Sequence, residues 1–221
     1  MIAVIEISRM VDVSTMNRQA GFSLIEMSIV LVIIALLLGS VLKGQAIVEQ
    51  SKVKNVVREF DGLSAAIHSY VDRYQFLPGD DPQAEARWTA VLATNGDDDG
   101  IIDRRWDDDC SRPNSDRWES CQVWNHLRLA GFITGEGMVQ PDHPFNGIIG
   151  IEDGERGRLR NAGLVGVIIC LGNVPGKFAE ILDEQLDDGL ADSGEMRGMV
   201  GMIPPAANYV LTSDYNLCKT L

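Results

Sequence analysis

Residues 22–42 form an almost purely apolar run, and this run limits more than any other feature what the chain can fold into. Glu26 is its only charged residue, and the run contains no proline. A helix needs roughly 20 apolar residues to cross the hydrocarbon core of a bilayer. A single segment in lipid must also satisfy its own backbone hydrogen bonds, which a helix does. We therefore predict one membrane-spanning helix near the N-terminus.

The helical pattern continues beyond the apolar run. Apolar residues recur every three or four positions with charged residues between them, which predicts an amphipathic helix over residues 46–75. No proline occurs before Pro78, and Pro78 with Gly79 ends the pattern. One continuous helix from about 23 to 75 is expected on this basis. The apolar positions of its second half are Val53, Val56, Phe60, Leu63, Ile67, Tyr70 and Tyr74.

The rest of the chain shows shorter patterns. Residues 164–170 are nearly all apolar, which is typical of a central strand covered on both faces. The predicted fold class is α+β, with the long N-terminal helix packed on a small antiparallel sheet. An acidic loop region over 95–121 precedes a C-terminal region of sheet and helix over 145–221. We predict helices over 83–92, 124–130 and 175–186, and strands over 147–151, 163–171, 208–212 and 215–219.

The net charge of -13 is unevenly distributed. Nine acids and four arginines lie between Asp97 and Glu119. This balance argues against non-specific nucleic-acid binding, which needs a basic surface, and it is compatible with cation binding. His126 and His143 have no nucleophile or carboxylate at a recognisable spacing, so we predict that the chain is not an enzyme and that these histidines are surface or structural residues.

The hexapeptide from Gly21 to Glu26, Gly-Phe-Ser-Leu-Ile-Glu, stands at the head of the apolar run. Here the chain resembles the type IV prepilin family, which includes type IV pilins and the pseudopilins of type II secretion. The resemblance implies cleavage by a prepilin peptidase after Gly21 and methylation of the new amino group of Phe22. It also implies a leader over 1–21, a transmembrane and assembly helix over 22–45, and an exported pilin-like domain over 46–221. Translation from Met16 would give a shorter leader.

The chemistry of these residues agrees with the resemblance. Glycine leaves room for the catalytic groups of a peptidase to approach the backbone closely. An unpaired carboxylate inside a membrane segment costs on the order of 2.5–3.5 kcal/mol. The ammonium on Phe22 of a neighbouring subunit would pair with Glu26 and fix the axial stagger between helices. The alternative is that Glu26 stays protonated or reaches the lipid headgroups.

The resemblance implies a structural subunit, a minor pilin or a pseudopilin, of a type IV pilus or a type II secretion filament. Its partners would be other pilin or pseudopilin subunits, the peptidase and an inner-membrane assembly platform. Its location would be the bacterial inner membrane, single-pass with the C-terminal domain in the periplasm, and then the pilus or pseudopilus. The alternative is a filament-borne adhesin or calcium-dependent binding module on the same anchor.

The acidic loop is similar to the first nine positions of an EF-hand-type calcium loop. The candidate ligands are Asn95, Asp97, Asp99, the carbonyl of Ile101, and Asp103. Gly100 would make the sharp turn, and Ile102 would hold the loop to the core. Position 12 is Trp106 and not the bidentate glutamate of an EF-hand, so that ligand would have to come from elsewhere, with Asp107, Asp108 and Asp109 as the candidates. Calcium is therefore the predicted cofactor, and a solvated acidic turn is the alternative.

Four cysteines, an even number, predict disulfides in an exported domain, with three possible pairings; four buried free thiols are the alternative. Cys110 and Cys121 lie close in sequence, and pairing them would leave Cys170 with Cys218. Trp106, Trp118 and Trp124 lie near the acidic loop. We expect them to pack beneath it; an exposed aromatic patch would instead favour a binding module.

Overall fold

The computed structural model describes residues 21–89, 93–155, 159–160, 162–201 and 208–221. The residues up to Ala46 and those from Ile47 onward form separate compact units, which are described in turn. Helix α1 runs from Leu24 to Tyr74 as one α-helix, as the periodicity predicted. In the first unit its apolar side chains are exposed.

The second unit is α+β, as predicted. It contains the helices α2 (Ala84–Arg87), α3 (Glu119–Leu129) and α4 (Gly176–Leu186), and a 3₁₀ turn over Ser115–Arg117. The strands are β1 (Asp142–His143), β2 (Gly147–Asp153), β3 (Val167–Pro175), β4 (Met196–Met199) and β5 (Asp214–Thr220). They form one antiparallel sheet in the order β1-β2-β3-β5-β4, so the apolar strand β3 is central, as expected.

Two apolar clusters cover the two faces of β3. Ile169 and Leu171 belong to the main core, which includes the buried face of α1, while Ile168 and Cys170 belong to a smaller cluster with Trp106. Alternate residues of a strand point to opposite faces of the sheet. Both faces of β3 are therefore buried, which explains its uninterrupted apolar sequence. The α1 residues buried in the main core are Val53, Val56, Phe60, Leu63, Ala66, Ile67 and Tyr70.

Several predicted boundaries were wrong. Helix α3 begins at Glu119, inside the predicted loop region 95–121, because its polar first residues are buried although they have no apolar pattern. The helix predicted over 83–92 is observed as Ala84–Arg87, and residues 90–92 lie outside the described part. The strand predicted over 208–212 is instead a turn, in which Ser213 N donates to the Val210 carbonyl. Strands β1 and β4 were not predicted, and β1 precedes the expected start of the sheet region at 145.

Candidate functional site

The chain around the predicted cleavage position is exposed and non-helical. Gly21, Phe22 and Ser23 precede the first helical residue, Leu24, and Phe22 is 76% exposed. The rest of the predicted leader, residues 1–20, lies outside the described residues. An exposed, non-helical backbone at Gly21 suits a protease substrate, because the peptide bond must enter the active site of the protease.

Glu26 caps its own helix. The Ser23 N–H donates to Glu26 Oε2 at 2.9 Å, and the Ile25 N–H donates to Ser23 Oγ at 3.3 Å. The carboxylate thus satisfies a backbone N–H at the open end of the helix, in the manner of a capping box. Its negative charge also lies at the positive end of the helix dipole. Sequence reasoning missed this role of Ser23, although the Ser-x-x-Glu spacing was visible.

The apolar run behind Glu26 is uncovered in the isolated chain. Its large apolar side chains are between 41% and 67% exposed, and an 18-residue window of α1 has none of its residues buried. Among the described residues, α1 is the one helix long and apolar enough to cross a membrane. So large a bare apolar surface must be covered by lipid or by other helices.

The acidic loop wraps its backbone around two buried carboxylates. Asp80 accepts N–H hydrogen bonds from Asp98, Asp99 and Gly100, at 2.6, 3.3 and 2.9 Å. Glu119 likewise accepts the N–H groups of Asp97 and Asp103, at 3.2 and 2.9 Å. The Asp80 and Glu119 side chains therefore hold the loop at both ends of its turn.

Space at this contact is tight. A Cβ on Gly96 would lie 2.3 Å from the Asp80 Cα. Gly100, which has a φ of 83°, makes the sharp turn that the calcium-loop pattern expected. Ile102 is fully buried in the main core and holds the loop to it, also as expected.

Three carboxylates converge beside this loop. One oxygen each from Asp80, Asp97 and Glu119 lie within 4.8 Å of one another. Burial, and then the neighbouring Asp80 and Asp97 charges, raise the pKa of Glu119 to about 7, although the two N–H donors oppose the rise. A carboxylate in this position is stabilised by a proton or by a cation.

The predicted calcium ligands are only partly brought together. Asp97 belongs to the three-carboxylate cluster. The Asn95 side-chain oxygen accepts the Glu85 N–H, and Asp99 Oδ1 accepts the Ile101 N–H. Asp107 and Asp108, two candidates for the missing bidentate ligand, lie near Arg105, and Asp109 pairs with Arg112. Sequence reasoning missed Asp80 and Glu119, since nothing in their spacing relates them to the loop.

His126 ties the start of the loop to the turn after α1. Its Nδ1 accepts the Gly79 N–H at 2.9 Å, so its Nε2–H donates to the Thr94 carbonyl at 3.0 Å. The ring is fully buried, and this burial lowers the pKa of His126 to about 4. Both ring nitrogens are thus engaged in structure, as the structural interpretation of this histidine predicted.

The cysteines form two disulfides. One, called here the loop disulfide, joins Cys110 to Cys121, and the other, the sheet disulfide, joins Cys170 to Cys218 across β3 and β5. Of the nearby tryptophans, Trp106 and Trp124 are buried in the two apolar clusters, and Trp118 is half-buried beneath the Arg104 guanidinium.

Comparison with known proteins identifies the class of the N-terminal segment. Residues 16–42 match the family model of the prokaryotic N-terminal methylation motif. The matched range includes Gly21, Phe22 and Glu26 and the whole apolar run to Leu42. The motif and the exposed helix together support membrane anchoring and processing by a peptidase. This is consistent with a type IV prepilin-like protein. No curated protein and no solved structure matched the chain.

Proposed function

We propose that this protein is a structural subunit, a minor pilin or pseudopilin, of a type IV pilus or type II secretion filament. A prepilin peptidase cleaves it after Gly21 and methylates Phe22. It is held in the bacterial inner membrane with the C-terminal domain in the periplasm, until an assembly platform passes it into the filament. Glu26 then sets the register between neighbouring helices.

One observation carries this proposal: the methylation motif heads an apolar window of 18 residues with no residue buried by the chain itself. A lone membrane anchor would need the apolar run but not the motif. A filament subunit needs both, because the same helix leaves lipid and packs against other copies. Glu26 supports the proposal further, because a carboxylate near the start of a membrane helix is stabilised by a cationic partner.

Processing is tested by mass spectrometry of the mature N-terminus after coexpression with a prepilin peptidase. The expected product begins at N-methylated Phe22. Gly21→Leu should block cleavage, because a side chain there obstructs the approach of the peptidase to the backbone. An unmethylated chain beginning at Met1 in the presence of active peptidase would contradict the proposal.

Assembly is tested with Glu26→Gln, which keeps the shape and the hydrogen-bonding oxygen but removes the charge. We expect this variant to be processed normally and to incorporate poorly into filaments. Glu136→Gln, which neutralises an exposed glutamate far along the chain, is the matched control and should incorporate normally. If both variants are incorporated into filaments equally well, the charge of Glu26 has no role in assembly.

A binding module on the same anchor remains the second candidate, and only its calcium form has a supporting observation. Trp106 and Trp124 are buried and so offer no aromatic surface for an adhesin. We propose that calcium binds beside the acidic loop, because Asp80, Asp97 and Glu119 already gather carboxylate oxygens at a separation that one ion can bridge. These residues fit the preference of calcium for hard oxygen ligands.

Calcium binding is tested by thermal unfolding of the full-length protein with added calcium and with chelator. The melting temperature should rise with calcium, and an unchanged value would refute the proposal. Two variants then separate the ligand sets. Asp80→Asn should weaken binding if the three-carboxylate cluster holds the ion, whereas Asp99→Asn should weaken it if the EF-hand-like positions do.

A further inference from the structure

A cleft of about 330 Å³ opens within the second unit, between α1, α3 and the segment leading into β2. We call it the α1–α3 cleft. Its apolar walls are Leu63, Phe132, Ile133, Pro141 and Ile149, and Glu59, Trp124 and Arg128 also line it. Ligand sites in proteins are commonly apolar clefts of about 300–1,000 Å³ with a few polar groups, so this one suits a small molecule.

Two polar atoms in the lining are buried and have no hydrogen-bond partner. They are Glu59 Oε2 and the indole nitrogen of Trp124, a residue that is fully buried. A buried polar atom left unpaired costs about 1–3 kcal/mol, so such atoms are uncommon. One of these is an acceptor and the other a donor, and both belong to residues lining the same cleft.

The cleft is lined by charges of both signs, the carboxylates of Glu59 and Asp142 and the guanidinium of Arg128. Arg128 donates from Nε and Nη1 to the carbonyls of Thr134 and Gly137, and no ion pair joins it to Glu59 within the described chain. Burial raises the pKa of Glu59 and lowers the pKa of Arg128. Each charge would be stabilised by an opposite charge on a bound molecule.

A glycine keeps the cleft open on the α1 side. Gly62 lies inside α1, where glycine costs about 1 kcal/mol relative to alanine. A Cβ at this position would meet no atom within 4 Å. Packing within the chain therefore does not require glycine here, and a larger side chain at this lining position would take up space in the cleft.

We propose that the α1–α3 cleft binds a small zwitterion, an α-amino acid with an apolar side chain. The ammonium of this ligand pairs with Glu59, and its carboxylate accepts hydrogen bonds from Arg128 and the Trp124 indole N–H. Its side chain packs on the apolar walls. This site is independent of cleavage and of filament assembly, so either proposal can fail alone.

The test is isothermal titration calorimetry of the full-length chain in lipid nanodiscs, with L-leucine as the probe. Two analogues each lack one charge: 3-methylbutylamine has no carboxylate, and 4-methylpentanoate has no amine. Since a charged hydrogen-bonded contact is worth about 1.5–3 kcal/mol, leucine should bind at least about tenfold more tightly than either analogue. No heat of binding at millimolar leucine, or equal affinity for the three compounds, would overturn the proposal.

Gly62→Leu fills the cleft and should abolish leucine binding without lowering the melting temperature. Ala65→Leu places the same side chain on an exposed position of the same helix outside the cleft, and should bind like the unmodified chain. Glu59→Gln keeps the size of the side chain. This variant should bind leucine at least about tenfold more weakly, while its affinity for 4-methylpentanoate should be unchanged or higher. Unchanged leucine affinity in Gly62→Leu or in Glu59→Gln would refute the assignment of the site.

Discussion

Acidification should destabilise the second unit through His126. In the fold its Nδ1 faces the Gly79 N–H, so a proton there would remove a hydrogen bond and bring two donors together. The pKa of His126 is lowered from 6.5 to about 4 by burial. The neutral form is therefore favoured by folding, and the stabilisation is complete above the unfolded pKa. It is lost as the pH falls from 6.5 towards 4, by about 3 kcal/mol at the acidic end.

Glu119 opposes this effect over the same pH range. Its raised pKa, about 7, favours the protonated acid in the fold, so its contribution to stability is largest below the usual value of 4.5 and declines as the pH rises through 7. In the unmodified chain, the effects of His126 and Glu119 on the free energy of unfolding therefore partly cancel as the pH changes. A difference between variants is needed to isolate the histidine.

The assay is chemical denaturation of full-length protein near neutral pH and near pH 4, followed by tryptophan fluorescence. His126→Gln should be destabilised at neutral pH, and its deficit relative to the unmodified chain should shrink by about 3 kcal/mol on acidification. His68→Gln changes an exposed histidine on α1 and is the matched control, with no pH-dependent difference expected. A deficit for His126→Gln that stays constant between the two pH values would refute the reasoning.

Three further predictions concern stability. Gly96→Ala should cost about 1–3 kcal/mol in denaturant titration, because its Cβ would press on the Asp80 backbone; a neutral effect would mean that this contact is not tight. Replacing the sheet disulfide by alanines should cost about 4 kcal/mol of stability, and replacing the loop disulfide about 3 kcal/mol. The difference arises because the sheet disulfide closes a loop of 48 residues and the loop disulfide one of 11, and a longer closed loop restricts the unfolded chain more. The reverse order of stability losses in unfolding curves would contradict this explanation. Ser23→Ala should weaken the start of α1 by about 1 kcal/mol, seen as faster amide hydrogen exchange in its first turn; unchanged exchange would show that this cap contributes nothing.

The sequence was most informative where a regular pattern was long. The apolar and amphipathic periods predicted both ends of α1 to within one residue, and the run at 164–170 indicated the central strand. Strands β1 and β4 have two and four residues, too few to show an alternation. Helix α3 was predicted to begin too late because residues such as Glu119 and Gln122 are polar yet buried.

The N-terminal motif could be recognised from the sequence, whereas the cluster at the acidic loop could be predicted only in outline. Gly21, Phe22 and Glu26 form a contiguous motif, which sequence alone can reveal. Asp80 and Glu119 come from a turn and a helix start far apart in the chain, and only tertiary folding brings them to the acidic loop. The unpaired groups of the α1–α3 cleft are likewise invisible in sequence, because burial without a partner is a property of the packed structure.

The short outer strands of the sheet affect how the protein behaves when many copies lie close together. The sheet ends in β1 and β4, of two and four residues, while its three inner strands have seven, nine and seven. An edge strand offers unpaired backbone groups on which another chain can add a strand, and brief edges are poor templates for this. If copies are crowded side by side, as the proposed function requires, such edges would disfavour aggregation through the sheets, and the exposed apolar surface of α1 would be the surface left for association.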